Sequence, residues 1–267
     1  MSSSRLTYLK GVLIGFGALT FTGAHAAPAP DETSAVRSFA SSTGAKPDTA
    51  HPQAAATIIA AATRRAISAL ADAVRPLSAP NALEDAFRSY FAFKTAHPDE
   101  VRNPYLYFVD YGLPSTAARG YVFDMKSLAI VDGPFTVAHG RGSASSKYGV
   151  PTRFSNELGS AASSLGLYLT ENLYRFLGRA AGGAYHSVGL RLVGVSGDYN
   201  NNAFSRRVVA HGAPYVTPTK AGRSEGCPAM ELARAKRLLP KLADGGMVFL
   251  FAPDSDWMAG DPWLTGE

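Results

Sequence analysis

The chain has 267 residues, of which 46% are hydrophobic and 18% are charged, and its formal net charge is +5. This length fits one moderately large domain, or one domain preceded by a small helical segment. Lysine and arginine do not gather into runs, so the positive charge does not predict nucleic-acid binding. The single cysteine has no partner in the chain, which excludes an internal disulfide.

The N-terminus has the features of an export signal. Arg5 and Lys10 supply basic charge, residues 11–22 form an apolar core, and Ala24-His25-Ala26 provides a small-x-small cleavage site. The apolar core is too short to span a bilayer comfortably, so we expect a cleaved signal peptide over residues 1–26 and no stable membrane anchor afterwards. An uncleaved anchor is the alternative. The mature protein is then exported, and is periplasmic or associated with the cell envelope.

Two helices are predicted between a flexible lead and the main domain. Residues 27–53 are rich in Pro, Ala, Ser and Thr without apolar periodicity, which indicates a flexible linker. Apolar residues then recur at helical spacing over 54–74 and, after the potential N-cap Asn81, through Thr95. These helices make up a predicted N-terminal extension over residues 54–98, arranged as a hairpin against the main domain.

The main domain, residues 99–267, has a different pattern of short runs rich in Tyr, Val, Phe and Ile. One helix is predicted from Met230 to about Leu242, and the glycine-rich stretch 178–183 predicts a turn. The fold class is therefore β-rich α+β, with a mostly antiparallel core and few helices. The predicted strands are Tyr105–Tyr111, Gly120–Asp124, Leu128–Val131, Phe135–His139, Leu165–Thr170, Ser187–Val193, Arg207–Ala210 and Met247–Phe251.

Cys227 is the strongest candidate for a catalytic residue. An unpaired thiol is a liability in an oxidising compartment, and its neighbours Gly, Arg, Ser, Glu and Pro are not those of an inert core cysteine. His211 ends a predicted strand, from which its imidazole can reach the thiol and deprotonate it. Gly226 allows a tight turn, in which the backbone amides of Glu225, Gly226 and Cys227 point together at a developing oxyanion.

Two other kinds of site stay open on the same residues. A serine hydrolase is suggested by the Gly-x-Ser-x-Gly pentapeptide around Ser224, but all six histidines precede that serine, whereas the hydrolase fold places its histidine afterwards. A zinc site is the other alternative, although no tight ligand spacing such as HExxH or CxxC is present. Its potential ligands are His139, His186, His211 and Cys227.

The ordered motifs around the cysteine resemble those of a known family. The run from Gly222 to Ala229 is similar to the active-site signature of the murein L,D-transpeptidases, in the branch of YkuD-like catalytic domains whose motif reads GRSxGCPA. The resemblance covers roughly residues 103–252 and implies a bent mixed sheet core with a helix after the cysteine. The other similar motifs are His211-Gly212, Tyr215-Val216, Val109-Asp110-Tyr111, Pro114-Ser115, Val137-Ala138-His139-Gly140, Phe154-Ser155-Asn156 and Ser163–Tyr168.

The resemblance implies a cell-wall acyltransferase. Cys227 would attack the carbonyl of diaminopimelate in a peptidoglycan stem peptide, with His211 as base, and terminal D-alanine would leave a thioester behind. An amine acceptor would give a cross-link, an exchanged D-amino acid or a tethered envelope protein. Water would give an L,D-carboxypeptidase, and a non-catalytic peptidoglycan-binding module is the third possibility. No cofactor or metal and no nucleic-acid partner is expected.

This chain departs from the common family pattern Ser/Thr-His-Gly-Cys-x-Arg at two positions. Glu225 replaces the histidine and Ala229 replaces the arginine. Arg223 is the first candidate to bind the donor carboxylate in place of that arginine, because a guanidinium contacts a carboxylate with two parallel hydrogen bonds, and Arg141 is a more distant option. The other residues expected to bind substrate, from their place in similar motifs, are Ser224, Tyr215, His139, Ser155 and Asn156.

Overall fold

The computed structural model describes residues 51–265. The predicted signal peptide and nearly all of the predicted linker lie outside these residues. The described helices are α1 (His51–Leu70), α2 (Ala82–Ala96), α3 (Leu232–Leu242), α4 (Ser255–Gly260) and α5 (Pro262–Thr265), with 3₁₀ turns at Ala71–Ala73 and Gly197–Tyr199.

Twelve strands lie within the described residues. They are β1 (Tyr105–Asp110), β2 (Gly120–Asp124), β3 (Ala129–Phe135), β4 (His139–Gly140), β5 (Gly166–Ala180), β6 (Gly183–Gly194), β7 (Val209–Gly212), β8 (Val216–Thr217), β9 (Lys220–Ala221), β10 (Arg223–Ser224), β11 (Ala229–Met230) and β12 (Met247–Phe251). Eight of them form one sheet in the order β11-β7-β6-β5-β12-β1-β2-β3, and two small pairs, β4 with β10 and β8 with β9, stand beside it.

The sheet is mixed, and its centre is the most apolar part of the chain. β12 is buried at every residue and lies parallel to β1, which explains why Met247–Phe251 is a continuous apolar run rather than an alternating one. The other parallel pair in this sheet is β7 with β11, whereas the remaining neighbours are antiparallel. The predicted β-rich α+β class with a mostly antiparallel core is confirmed.

The hairpin of β5 and β6 is much longer than the sequence pattern predicts. β5 extends ten residues past the predicted end at Thr170, and the predicted turn over 178–183 contracts to two residues between the strands. Beyond Leu173 the two strands hydrogen-bond mainly to each other, from Leu173↔Leu190 to Ala180↔Gly183. This outer part of the hairpin is half-exposed. Its strands therefore need no regular alternation of apolar and polar residues, and the sequence pattern does not predict them.

The strand at the sheet's edge also differs from the prediction. β3 begins within the predicted strand Leu128–Val131 and continues through Gly133 and Pro134 to Phe135, the first residue of the predicted strand Phe135–His139. The last residue of that predicted strand, His139, belongs instead to the short strand β4. β3 has only β2 as a neighbour, and an edge strand tolerates a proline that cannot donate a hydrogen bond. Asp132 in this strand forms ion pairs with Arg234 and Arg237.

The two N-terminal helices share the apolar core of the sheet domain. Phe87 of α2 is fully buried, and its ring meets Phe123 of β2 edge to face at a centroid distance of 5.3 Å. α1 contributes Ala66 and Leu70 to the same core, but Ile58 near its start is 62% exposed. By length and composition alone, one helical stretch in the described residues, Pro52–Ala73, could span a bilayer.

Loss of the Phe87 ring tests whether α2 is an integral part of this core. Phe87→Ala should lower the free energy of unfolding by about 3–5 kcal/mol, because it removes a buried aromatic side chain and leaves a cavity. The matched change Ile58→Ala on the exposed part of α1 should stay within about 0.5 kcal/mol. Urea unfolding of both variants measures this, and equal small effects would show that the helices are dispensable to the core.

Candidate active site

Cys227 follows a sharp turn of the backbone at position 226, which only glycine can occupy without strain. Gly226 has φ +126°, and a Cβ at this position would lie 2.8 Å from the carbonyl oxygen of Ala162. The hydroxyl of Ser224 closes the turn, because it donates to the Cys227 carbonyl at 2.7 Å and accepts from the Gly226 amide at 3.1 Å. Ser224 therefore shapes the turn, and its buried hydroxyl is not free to bind substrate as predicted.

A second serine, Ser163, also hydrogen-bonds to the turn. The Ser163 hydroxyl donates to the Gly226 carbonyl at 3.0 Å and accepts from the Gly140 amide at 3.0 Å. The Ser163 amide in turn donates to the Ser143 hydroxyl at 2.9 Å. The segment 160–164 is thus the base on which the cysteine turn rests.

His211 is oriented by its own neighbour in β7. Nδ1 lies 3.0 Å from the Gly212 carbonyl oxygen, which can only accept, so Nδ1 carries the proton in the neutral ring and Nε2 has a free lone pair. The ring of Phe176 packs edge to face against the imidazole at a centroid distance of 5.7 Å. This tautomer is the one that a base needs if Nε2 is to take a proton.

The structure brings His211 and Cys227 to neighbouring backbone segments. His211 pairs with Ala229 across the parallel strands β7 and β11, and its amide donates to the Pro228 carbonyl at 3.4 Å. The thiol itself points to the Arg207 carbonyl oxygen at 3.8 Å. Within the described residues no hydrogen bond joins the thiol to the imidazole.

The resting charges of the two groups follow from their surroundings. Burial raises the pKa of the Cys227 thiol, the Val209 amide and the Arg206 guanidinium act in the opposite direction, and the Glu225 carboxylate adds to the increase. Burial also lowers the pKa of His211, partly offset by the hydrogen bond to the Gly212 carbonyl. The pair is therefore a neutral thiol and a neutral imidazole, not a preformed ion pair.

The three backbone amides predicted to bind an oxyanion are not equivalent. The Gly226 amide is already occupied by the Ser224 hydroxyl. The amides of Glu225 and Cys227 have no acceptor among the residues that the structure describes. Two unoccupied donors on either side of a sharply turning glycine are the geometry from which an oxyanion site is built.

Aromatic side chains surround the thiol on the side of the long hairpin. A negative charge on Cys227 acts to raise the pKa of three nearby tyrosine hydroxyls, those of Tyr174 on β5, Tyr185 on β6 and Tyr215 after β7. The pairing register puts Tyr174, Phe176 and Tyr185 on one face of the hairpin, because Tyr185 lies opposite Gly178. This face, next to His211, forms one wall of the site. Tyr215 packs with Tyr185 against one small cluster of buried residues, and its role in binding substrate stays a prediction.

His139 is buried behind the site rather than exposed in it. Arg119, itself fully buried, donates from Nη2 to Nδ1 of His139 at 2.9 Å, which leaves the proton on Nε2, a buried atom without a partner in the described residues. Burial, with the charges of Arg119 and Arg223, lowers the pKa of His139 from 6.5 to about 3. The ring therefore stays neutral over the physiological pH range.

The two arginines considered for the donor carboxylate lie in different environments. Arg223 on β10 pairs with His139 across the small parallel ladder, and its Nη1 donates to the Ala144 carbonyl at 3.3 Å. Arg141 is exposed, and its Nε donates to both carboxylate oxygens of Glu225 at 2.8 and 2.9 Å. Glu225 thus occupies Arg141, while Arg223 keeps most of its donors available.

Ser155 and Asn156 line a cavity of about 250 Å³ that is walled by Tyr199 and Trp257, and neither Cys227 nor His211 contributes to it. The Asn156 amide nitrogen donates to the Asp198 carbonyl at 2.8 Å and to the Asn201 side chain at 2.7 Å, so it braces a loop. The Ser155 amide donates to the Ser163 carbonyl at 3.0 Å. The roles in binding substrate that the motifs suggest for these two residues stay predictions.

The described residues contain no group of three or more His, Cys, Asp or Glu side chains placed to hold a metal ion.

Arg119 and Arg206 were not predicted from the sequence, because their contacts are with segments that are distant in the chain. A lone arginine in a loop carries no signal for such a role. The potential N-cap Asn81, which was predicted, precedes α2, but its amide donates to the Asp85 carboxylate instead of capping the backbone.

Comparisons with known proteins agree on one family. The family model of the L,D-transpeptidase catalytic domain, YkuD_2, matches residues 76–251. No curated protein matches the chain. Among solved structures, an L,D-transpeptidase from Mycobacterium smegmatis is 14% identical with a TM-score of 0.34, over 56% of this chain and 59% of that one. The L,D-transpeptidase from Stackebrandtia nassauensis is 15% identical with a TM-score of 0.34, over 65% and 67%. Structural likeness at this level supports no inference about activity.

The neutral state of His139 predicts a contribution to acid sensitivity. Its pKa is about 3 in the folded protein and 6.5 in an ordinary environment, so between these values the unfolded chain binds more protons and the free energy of unfolding falls as the pH falls. His139→Gln should flatten that dependence between pH 7 and pH 5, whereas the exposed His186→Gln should not. Parallel stability curves for wild type and His139→Gln, measured by urea unfolding, would contradict the buried neutral ring.

Proposed function

Because the chain belongs to the L,D-transpeptidase catalytic-domain family, we propose that it is a cell-wall acyltransferase with Cys227 as its nucleophile. The observation that carries the proposal is the free thiol of Cys227 on a glycine turn, next to two unoccupied amides and a neutral imidazole. Its substrate would be the stem peptide of peptidoglycan. An enzyme that acts there works outside the cytoplasm, in agreement with the predicted signal peptide.

The first half-reaction forms a thioester. The Cys227 thiol gives its proton to Nε2 of His211, and the sulfur attacks the carbonyl carbon of diaminopimelate. The amides of Glu225 and Cys227 donate hydrogen bonds to the oxyanion that forms. When the tetrahedral intermediate collapses, the carbon–nitrogen bond breaks and the imidazolium returns the proton to the leaving amine of D-alanine.

The second half-reaction transfers the acyl group. An acceptor amine loses a proton to Nε2 of His211 and attacks the thioester carbonyl, so that the sulfur leaves and is reprotonated. With a second stem peptide as acceptor the product is a cross-link, with a free D-amino acid it is an exchanged terminus, and with an envelope protein it is a tethered protein. Water in the same place would give a carboxypeptidase.

We assign recognition of the donor peptide to two sets of groups near the thiol, Arg223 and the aromatic wall. Arg223 is the proposed partner of a stem-peptide carboxylate, because it is half-exposed and only one of its nitrogens is used within the described residues. The wall of Tyr174, Phe176, Tyr185 and Tyr215 offers apolar faces and hydroxyls to the peptide chain. His139 is buried behind Arg223. It supports the side of the site on which Arg223 lies, and it does not contact the donor.

The second candidate function is a peptidoglycan-binding module that keeps the fold without turnover. One observation favours it: the thiol is hydrogen-bonded to the Arg207 carbonyl and not to His211. Apo enzymes often hold such contacts long or misaligned until substrate is bound, so this observation does not decide between the two functions. Chemical reactivity of the thiol does.

Reaction with a carbapenem separates an enzyme from a binding module. Wild-type protein incubated with imipenem should gain the mass of one adduct on Cys227, because the thiol attacks the strained lactam carbonyl as it would attack the peptide. Cys227→Ser should gain none, since an alcohol has a far higher pKa and is a poorer nucleophile, while its circular dichroism stays unchanged. A folded, reduced wild-type protein that forms no adduct in intact-mass spectrometry would favour the binding module.

Removal of the imidazole tests the base. His211→Ala should reduce D-alanine release by about a hundredfold or more, which is the typical cost of losing a general base. The control His186→Ala changes an exposed histidine on the long hairpin and should leave the rate within about twofold. Equal rates for His211→Ala and wild type would remove His211 from the mechanism.

A further inference from the structure

Arg206 is a half-buried cation that has no partner of opposite charge among the residues that the structure describes. Its Nη1 donates to the Ser164 hydroxyl at 3.1 Å, and its Nη2 donates to the Ser160 hydroxyl at 3.3 Å and the Ala162 carbonyl at 2.5 Å. All three acceptors are neutral. No carboxylate in the described part of the chain lies within ion-pair distance of this guanidinium.

The guanidinium lies against the turn that carries the thiol. Its Nη2 is 3.5 Å from the position that a Cβ at Gly226 would occupy. The Ala162 carbonyl to which it donates is 2.8 Å from the same position. The carbonyl of the next residue, Arg207, is the one that the Cys227 thiol contacts. The side chain of Arg206 therefore borders the turn at Gly226, and the residue that follows it contacts the thiol.

A half-buried charge with only neutral partners is costly to keep, unless an anion forms beside it. Two groups next to it can become anions, the Tyr168 phenol and the Cys227 thiol, and burial raises the pKa of Tyr168 so that the phenol stays neutral. Burial lowers the pKa of Arg206, and a negative charge on Tyr168 or Cys227 acts in the opposite direction. The guanidinium in turn acts to lower the pKa of the thiol. The exposed Arg175 on β5 has no such relation to the thiol and serves below as a control.

The other titratable groups around the thiol do not supply this charge. Arg141, Arg207 and Arg223 are cations of the surrounding segments, but the arginine whose charge acts to lower the pKa of the thiol is Arg206. His211 is neutral when it is buried. The acidic neighbour Glu225 opposes ionisation of the thiol. The hydroxyls that face it are Tyr111, Tyr168, Tyr174, Tyr185 and Tyr215.

We propose that Arg206 is the counter-cation of the Cys227 thiolate and a positioning residue for the turn that carries it. The inference rests on the proposed nucleophilic role of Cys227 and adds a second group to its activation. His211 removes the proton from the thiol, and the positive charge of Arg206 stabilises the thiolate until the sulfur attacks. Arg206 also ties the segment 160–164, on which Gly226 rests, to the loop before β7.

The test is the pH profile of thiol alkylation by iodoacetamide, a neutral reagent. Arg206→Gln should shift the profile to higher pH and slow alkylation at pH 7 by about tenfold, as expected on loss of a neighbouring opposite charge. Arg206→Lys keeps the charge and should retain a profile close to that of wild type. Arg175→Gln removes an exposed charge on β5 and should also leave the profile unchanged. Thermal melting of each variant reports the bracing role separately.

Two outcomes would overturn the proposal. One is an Arg206→Gln profile that superimposes on wild type. The other is an Arg206→Lys profile displaced to higher pH as far as that of Arg206→Gln, which would leave Arg206 a brace only. Where the glutamine variant does not fold, an Arg206→Lys profile displaced from that of wild type by about one pH unit or more to higher pH overturns the proposal by itself. Alkylation needs no peptidoglycan, so this result is independent of whether the protein turns over stem peptides.

Discussion

The contact of Gly226 with the Ala162 carbonyl is the constraint on which the site depends. No residue with a Cβ fits at that φ and that distance, so the backbone turns sharply immediately before Cys227. The hydroxyls of Ser224 and Ser163 fix the turn from both sides. These contacts leave two amides free, and the thiol points to the Arg207 carbonyl just before β7. The geometry of the nucleophile is thus a property of the backbone, and the parallel pairing of β7 with β11 carries the imidazole to the same place.

The electrostatics of the site follow from burial. Burial keeps the thiol protonated and the imidazole neutral, so activation consists of moving one proton rather than using a standing ion pair. The orientation of His211 comes from a backbone carbonyl, that of Gly212, and needs no third side chain. Arg206 and the Val209 amide supply the opposing influence at the sulfur. The exposed pair of Arg141 and Glu225 at the rim contributes little, because solvent screens it.

Local patterns predicted the parts of this protein that burial determines. β2 and β12 have their predicted bounds, because each is a buried apolar run between breakers. The outer part of the β5–β6 hairpin was not predicted, since its strands need only each other. In the site, the glycine and cysteine of the turn could be found from residue type alone, and Gly226 does adopt a left-handed φ. The roles of Ser224, Asn156 and Arg206 could not, because each depends on a partner distant in the fold.

Muropeptide analysis of isolated peptidoglycan, after incubation with wild-type protein or with Cys227→Ser, tests the central claim most directly. The account predicts new products that depend on Cys227, in which diaminopimelate carries a new amine partner and D-alanine is released in equal amount. Tripeptide stems alone would identify water as the acceptor and still support the thioester. A digest that is identical for wild type, Cys227→Ser and buffer would contradict the claim that this site acts on the cell wall as an enzyme.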